Sequence, residues 1–470
     1  MSRRGRIALA ATVLMAIMAI GASAADTGGI SAELIQRWTS GKLSGPAKAL
    51  ADVVANKEIT EVALNRDRYI THSKIFDFKI KTGDVTNQKG SGRCWMFAGF
   101  NVLRAPIIKK LKLKNFEFSE NYLMFWDKME KVNFFLQGMI DMAERPIDDR
   151  ELSVLLEDPL GDGGWWSYFV DLVKKYGVVP KEAMPETYNS SSTGTMNTLI
   201  SLKVKEMGLE LRNMARAKAK PAVVLSRKEA LLGEAYRLLV LNLGQPPTRF
   251  VWRYETTDTV GAITQSRRLT PQEFYTEVID WDLDQYVTLF DYAGKDYYQN
   301  YAIRLSRNMY DRPNFTVLNL PIDSLRIYAL KSILDSTPVW FACDVGRDNY
   351  GAEGILAAGI YNYEALYGTE FMLSKADLIQ TGLITPNHAM TFIGVDTVGG
   401  KAEKWLVENS WGGERGDKGS WTMYNDWFDK YLFGLVIQKK YLPEAIIKLS
   451  QQLPLELPPW DPVYPVNRLN

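Results

Sequence analysis

The stretch CWMFAGFNVLRAPIIKKLKLK, beginning at Cys94, repeats apolar residues at near-helical spacing and gathers lysines at its far end. That is the pattern of a buried helix whose C-terminus faces its cations. The glycine-marked run Lys89-Gly90-Ser91-Gly92 stops just ahead of it, so Cys94 is expected at the helix N-terminus. A second, aromatic helix is predicted over 122–136, a turn at Gly161-Asp162-Gly163-Gly164, and a further helix from Trp165 to Tyr176. Residues 195–243 are rich in Lys, Arg, Glu, Leu and Ala with helical periodicity. Their charges alternate in sign, which reads as a solvated helical face and not as a nucleic-acid patch. Short β-type runs follow at 316–320, 338–343, 390–395 and 405–408. Helices first and strands later, with a charged helical insertion between them, predict an α+β core instead of alternating βαβ units.

Composition narrows the chemistry. The 470 residues carry 56 Lys+Arg against 55 Asp+Glu, so no global field gathers nucleic acid or anionic lipid. There are two cysteines, Cys94 and Cys343, and two histidines, His72 and His388, which excludes His₃ or Cys₄ metal ligation. At the start, MSRRGR is basic, residues 7–21 are apolar, and Ala22-Ser23-Ala24 precedes Ala25. This reads as a secretory signal peptide over 1–24, with export to a bacterial periplasm or the medium and no membrane association after cleavage.

Cys94 is the first candidate for chemistry. Unpaired N–H groups at a helix start favour thiolate, the nucleophile that acyl transfer needs. The alternatives are a structural cysteine or a disulfide to Cys343. A thiol nucleophile needs an imidazole to take its proton and return it to a leaving amine. His72 sits in RYITHSKIF without a polar partner motif and reads as a surface or packing residue. His388 sits in ITPNHAMTFIGVD, before a strand-like run. Asn409 in KWLVENSWGG offers an amide oxygen to orient the ring without adding charge beside the thiolate. Gln88, six residues before Cys94, offers an amide N–H to a developing oxyanion.

The motifs Gln88-Lys89-Gly90-Ser91-Gly92-Arg93-Cys94-Trp95, Asn387-His388-Ala389-Met390 and Glu408-Asn409-Ser410-Trp411-Gly412 resemble the papain superfamily of cysteine peptidases. The superfamily's usual Cys-to-His interval is roughly 130–150 residues; here it is 294, while His388 and Asn409 are 21 apart. That enlarged spacing, with FWDKMEKVNFFL, MPETYNSSSTG and KGSWTMYNDWFDKYLF, is similar to the bleomycin hydrolase / aminopeptidase C branch. The resemblance implies a papain-like fold with a Cys-bearing helical part, an antiparallel β part, a large helical insertion and a C-terminal tail near the cleft. It implies Cys94 as nucleophile, His388 as base and acid, Asn409 as orienter and Gln88 as oxyanion donor. Gly163, Gly164, Trp165 and Asn387 would bind substrate, Trp95 and Trp411 would support the site, and no metal or organic cofactor is needed. The expected organisation is a signal over 1–24, an N-terminal arm and Cys-bearing part over 25–185, a mainly helical insertion over 186–300, a β-rich part over 301–455 and a tail over 456–470. The implied activity is aminopeptidase action on short peptides, in a homo-oligomer of hexamer type. An endopeptidase or peptide-amide hydrolase, and a non-catalytic secreted binding protein of the same fold, are the rival readings. Trp165-Trp166 stands where the branch commonly has Gln-Trp, and Val463 to Asn470 replaces its usual short ending.

Overall fold

The computed structural model describes residues 28–257 and 263–464; the expected signal peptide and the last six residues of the tail lie outside them. The chain divides into two compact units, residues 1–63 and 64–470. In the first, helices span Ala32–Thr39, Gly45–Asn56 and Ile59–Ala63, the first of them capped by the Ser31 side chain accepting from Leu34 N–H. Among the described residues no helix is long and apolar enough to cross a membrane.

The second unit begins its core with α1 (Cys94–Leu111), which buries nearly every residue from Cys94 to Ile108 and keeps Lys109 and Lys110 in its last turn. A helix apolar all round can be stable only inside a core. Next, α2 (Glu120–Asp141) starts at Ser119, whose hydroxyl accepts from Tyr122 N–H, and buries five charged residues, Glu120, Asp127, Lys128, Glu130 and Lys131, along with its aromatic face. α3 (Trp166–Tyr176) packs on α1 and α2. α4 (Gly194–Arg216) and α5 (Pro221–Leu243) pack on each other and on α2. Met196, Ile200, Val204, Met207 and Leu211 form the buried stripe of α4 at three- and four-residue steps.

The stretch expected to be mainly helical over 186–300 carries strands after Leu243, where the chain forms a hairpin of β1 (Phe250–Thr256) and β2 (Ile263–Leu269). Residues 286–303 then already belong to the main sheet as β3 (Tyr286–Phe290) and β4 (Gln299–Ile303). The physical reason is a two-residue period: Phe250 and Trp252 point inward while Val251 and Arg253 are exposed.

The sheet is completed by β5 (Thr316–Asn319), β6 (Val339–Cys343), β7 (His388–Val398), β8 (Lys401–Glu408), β9 (Ser420–Tyr424), β10 (Leu432–Gln438) and β11 (Leu455–Leu457). Its order runs β11-β4-β5-β3-β10-β6-β7-β8-β9 and then Ile355–Leu356 and Asn349–Tyr350. β6, β7 and β8 are antiparallel, with His388 opposite Cys343 and Thr391 opposite Glu408. β6 and the first eight residues of β7 are buried throughout, so they read as continuous apolar runs instead of alternating ones. α1 lies against β7, where the Thr391 hydroxyl donates to the Ala98 carbonyl at 3.2 Å. The fold is α+β, with the helical part and the sheet meeting along α1 and β7.

Candidate active site

Two layers meet at one cleft. Its lining includes Cys94 and Trp95 from the start of α1, Gly163, Gly164 and Trp165 from the loop before α3, Trp340 and Ala342 from β6, and Pro386 to Ala389 at the start of β7. Cys94 and His388, far apart in sequence, therefore face the same space. Both cysteines are free thiols, which removes the disulfide alternative.

His388 Nε2 lies 2.8 Å from Asn409 Oδ1. An amide oxygen only accepts, so Nε2 carries the hydrogen and Nδ1 keeps its lone pair. The Asn409 oxygen is fixed in turn by Ser410 N–H at 2.8 Å. Trp411 lies against the imidazole with ring centroids 4.8 Å apart, and both His388 and Asn409 are buried. Gln88 is tied at both ends of its amide: Nε2 donates to the Ser91 carbonyl, and Oε1 accepts from the Ser410 hydroxyl at 2.6 Å. One N–H of that amide remains for a ligand. The dipeptide Asn409-Ser410 thus orients the histidine with one residue and the glutamine with the other.

The thiol departs from the sequence expectation. The backbone N–H groups of Ala389, Trp95 and Cys94 itself do favour thiolate, as a helix start should, but burial outweighs them and pushes the thiol up to about 11. Burial likewise pulls His388 down to about 4, against a smaller upward effect of Asn409. An isolated thiolate or an isolated imidazolium is disfavoured here; a proton passed from Sγ to the ring creates both charges at once, and they offset each other. The competent protonation state, one proton shared by the pair, spans the interval between those values. The acid limb of kcat/KM should therefore fall near pH 4 and not near 6.5, and a pH profile checks it. The same shift weakens the fold as pH drops from 6.5 toward 4, because only the unfolded chain takes up the proton in that window.

Among the expected substrate-binding residues, Gly163, Gly164 and Trp165 line the cleft. Gly164 lies so close over Trp95 that a Cβ there would come within 2.5 Å of the indole, which is why this position has no side chain. Asn387 also lines the cleft, its amide held by the protein: Nδ2 donates to Asp344 Oδ1 at 2.8 Å and Oδ1 accepts from Val345 N–H at 3.0 Å. One N–H of that amide is left to meet a ligand, as at Gln88, while the backbone N–H already donates to the Cys343 carbonyl at 3.0 Å. His72 takes a structural place, with Nδ1 at 3.2 Å from the Tyr424 hydroxyl. Tyr464, the last described residue of the tail, is buried, with its ring 6.1 Å from Trp165 and its hydroxyl bonded to that of Tyr168.

Sequence comparison agrees with this geometry. The model of the Peptidase C1-like family matches residues 29–464. The chain belongs to that family. This papain-like cysteine peptidase is 36% identical over 440 residues to aminopeptidase C of Lactobacillus delbrueckii subsp. lactis, covering 92% of this chain and 98% of that protein. It is 34% identical to human bleomycin hydrolase, covering 93% and 99%. The crystal structure of pepw from Lactobacillus rhamnosis superposes with a TM-score of 0.89 at 38% identity, covering 93% of this chain and 99% of that one.

Proposed function

We propose that this peptidase removes amino-terminal residues from short peptides through a thioester acyl-enzyme. The observation that carries the proposal is the His388–Asn409 bond, which leaves Nδ1 as the base in the cleft that holds Cys94. In the proposed cycle Cys94 Sγ attacks the scissile carbonyl while His388 Nδ1 takes the thiol proton. The oxyanion that develops receives the spare Gln88 N–H and the field of the α1 N-terminus. The imidazolium then protonates the leaving amine, the C–N bond breaks, and a thioester remains. Water, deprotonated by His388, releases the acid and restores the thiol. The exopeptidase reading draws on relatives named aminopeptidase C and on the approach of the chain's last described residues to Trp165. Amino-acyl fluorogenic substrates should be cleaved at least about tenfold faster than their N-blocked counterparts; faster cleavage of the blocked ones supports the endopeptidase rival.

Two further properties complete the proposal. The basic, apolar and Ala-Ser-Ala pattern of residues 1–24 supports export to the periplasm, and the branch resemblance supports a homohexamer. Amino-terminal sequencing of the exported protein should begin at Ala25, and its light-scattering mass should correspond to six chains.

A further inference from the structure

The cleft wall made by Gly163, Gly164 and Trp165 is a loop, and loops keep their shape only where something holds their backbone. Here four consecutive carbonyls are taken by side-chain donors. Lys128 Nζ bonds the Leu160 carbonyl, Lys131 Nζ bonds those of Gly161 at 2.7 Å and Gly163 at 2.8 Å, and Trp95 Nε1 bonds that of Asp162 at 2.8 Å. The two lysines stand one turn apart on α2, both buried, and Lys131 is paired with Asp127 at 2.7 Å.

The side chain of Asp162 closes the arrangement. One carboxylate oxygen accepts from Lys128 Nζ at 2.6 Å and Asn197 Nδ2 at 2.8 Å; the other accepts from Gly92 N–H at 2.9 Å and from the Thr193 hydroxyl. Gly92 is two residues before Cys94, and a Cβ there would lie 2.8 Å from the Asp162 Cβ, so the two segments touch backbone to side chain. Thr193 and Asn197 stand at the start of α4. One carboxylate thus bonds the turn that delivers the nucleophile, the central helix and the inserted helix, while its own backbone is part of the cleft wall. With both cysteines of the chain free, no covalent link performs this task.

We infer that Asp162 is a positioning residue whose carboxylate, paired with Lys128, sets the Gly163–Trp165 wall at its working distance from Cys94. It touches neither the reacting atoms nor the substrate; it acts chiefly through Gly92 and the loop, its charge adding a lesser upward push on the Cys94 thiol. The substrate assay rests on the peptidase reading above, and a binding assay independent of turnover accompanies it. In Asp162→Asn, KM for leucyl substrates should rise about tenfold with kcat within about twofold, since wall and nucleophile are misplaced relative to each other while the thiol–imidazole pair is intact. Iodoacetamide, too small to use the wall, should label Cys94 at a rate within about twofold of the parent. Leucinal, which binds the thiol reversibly as a hemithioacetal, should protect Cys94 from iodoacetamide about tenfold less well. Should Asp162→Asn leave Lys128 too costly to bury, the pair Asp162→Asn with Lys128→Met removes both charges and allows the same measurements. Labelling and kcat/KM falling together, an unchanged KM and unchanged leucinal protection, or loss of folding in both variants would each assign Asp162 to stability alone and overturn the inference. A parent enzyme that cleaves no leucyl substrate defeats the peptidase reading, and leucinal protection still decides this one.

Discussion

Cys94→Ala should abolish hydrolysis, lowering kcat by about 10⁴-fold or more while the protein stays folded. The side chain lost is small and sits at the edge of the cleft, so the destabilisation should stay within about 1–2 kcal/mol. The chain's other thiol offers no substitute. Cys343 lies opposite His388 across β6 and β7, but its side chain is wholly buried and its Sγ faces the His388 carbonyl at 3.7 Å. Burial raises its thiol well above the ordinary range. Iodoacetamide should therefore label one thiol per native chain, at Cys94, and two after unfolding. Full activity in a folded Cys94→Ala variant would show that Cys94 is not the nucleophile. Equal labelling rates for the two thiols would remove the argument that the paired imidazole activates one of them.

How much of this was legible beforehand depends on the range over which each feature is encoded. The place of Cys94 at a helix start is local: a glycine run, then three-and-four apolar spacing, then lysines, all within some twenty residues. The histidine and asparagine were reachable through their motifs, because with two histidines in the chain there was one choice to make. The thiol's ionisation was not legible, because the helix-terminus effect is local whereas the burial that outweighs it comes from β6, β7 and the loop at 163–165. Asn387 shows the same limit: nothing nearby in sequence announces that Asp344 and Val345 will occupy its amide. Asp162 stands in the predicted turn Gly161-Asp162-Gly163-Gly164, and nothing in that turn announces its partners on α2 and α4. A possible signal was present in FWDKMEKVNFFL, where apolar residues surround Asp127, Lys128, Glu130 and Lys131 on every side. Charges enclosed in that way must pair inside the fold.

The second large effect is on stability. Arg104 on α1 and Glu408, the last residue of β8, form an ion pair with both side chains almost wholly excluded from water. Thr82 donates its hydroxyl to the same carboxylate, and Arg104 Nη1 donates to the Asp84 carbonyl at 2.6 Å. Arg104→Met removes the cation but keeps the apolar volume, so the loss is electrostatic: Glu408 remains as a buried carboxylate, already raised by desolvation and lowered chiefly by Arg104. Breaking such a pair from one side typically costs about 3–5 kcal/mol, and chemical denaturation should show a loss of that size. Replacing both partners, Arg104→Met with Glu408→Gln, should recover most of it, because no unpaired charge is then buried. A single variant as stable as the parent would mean that water reaches the pair, contrary to its burial. The position adds a functional consequence. Glu408 immediately precedes Asn409, whose oxygen holds His388, so this pair ties the helix that carries the thiol to the strand end that orients the imidazole. In the folded fraction of Arg104→Met, kcat should consequently fall by about tenfold, a loss that correction for unfolded protein does not restore.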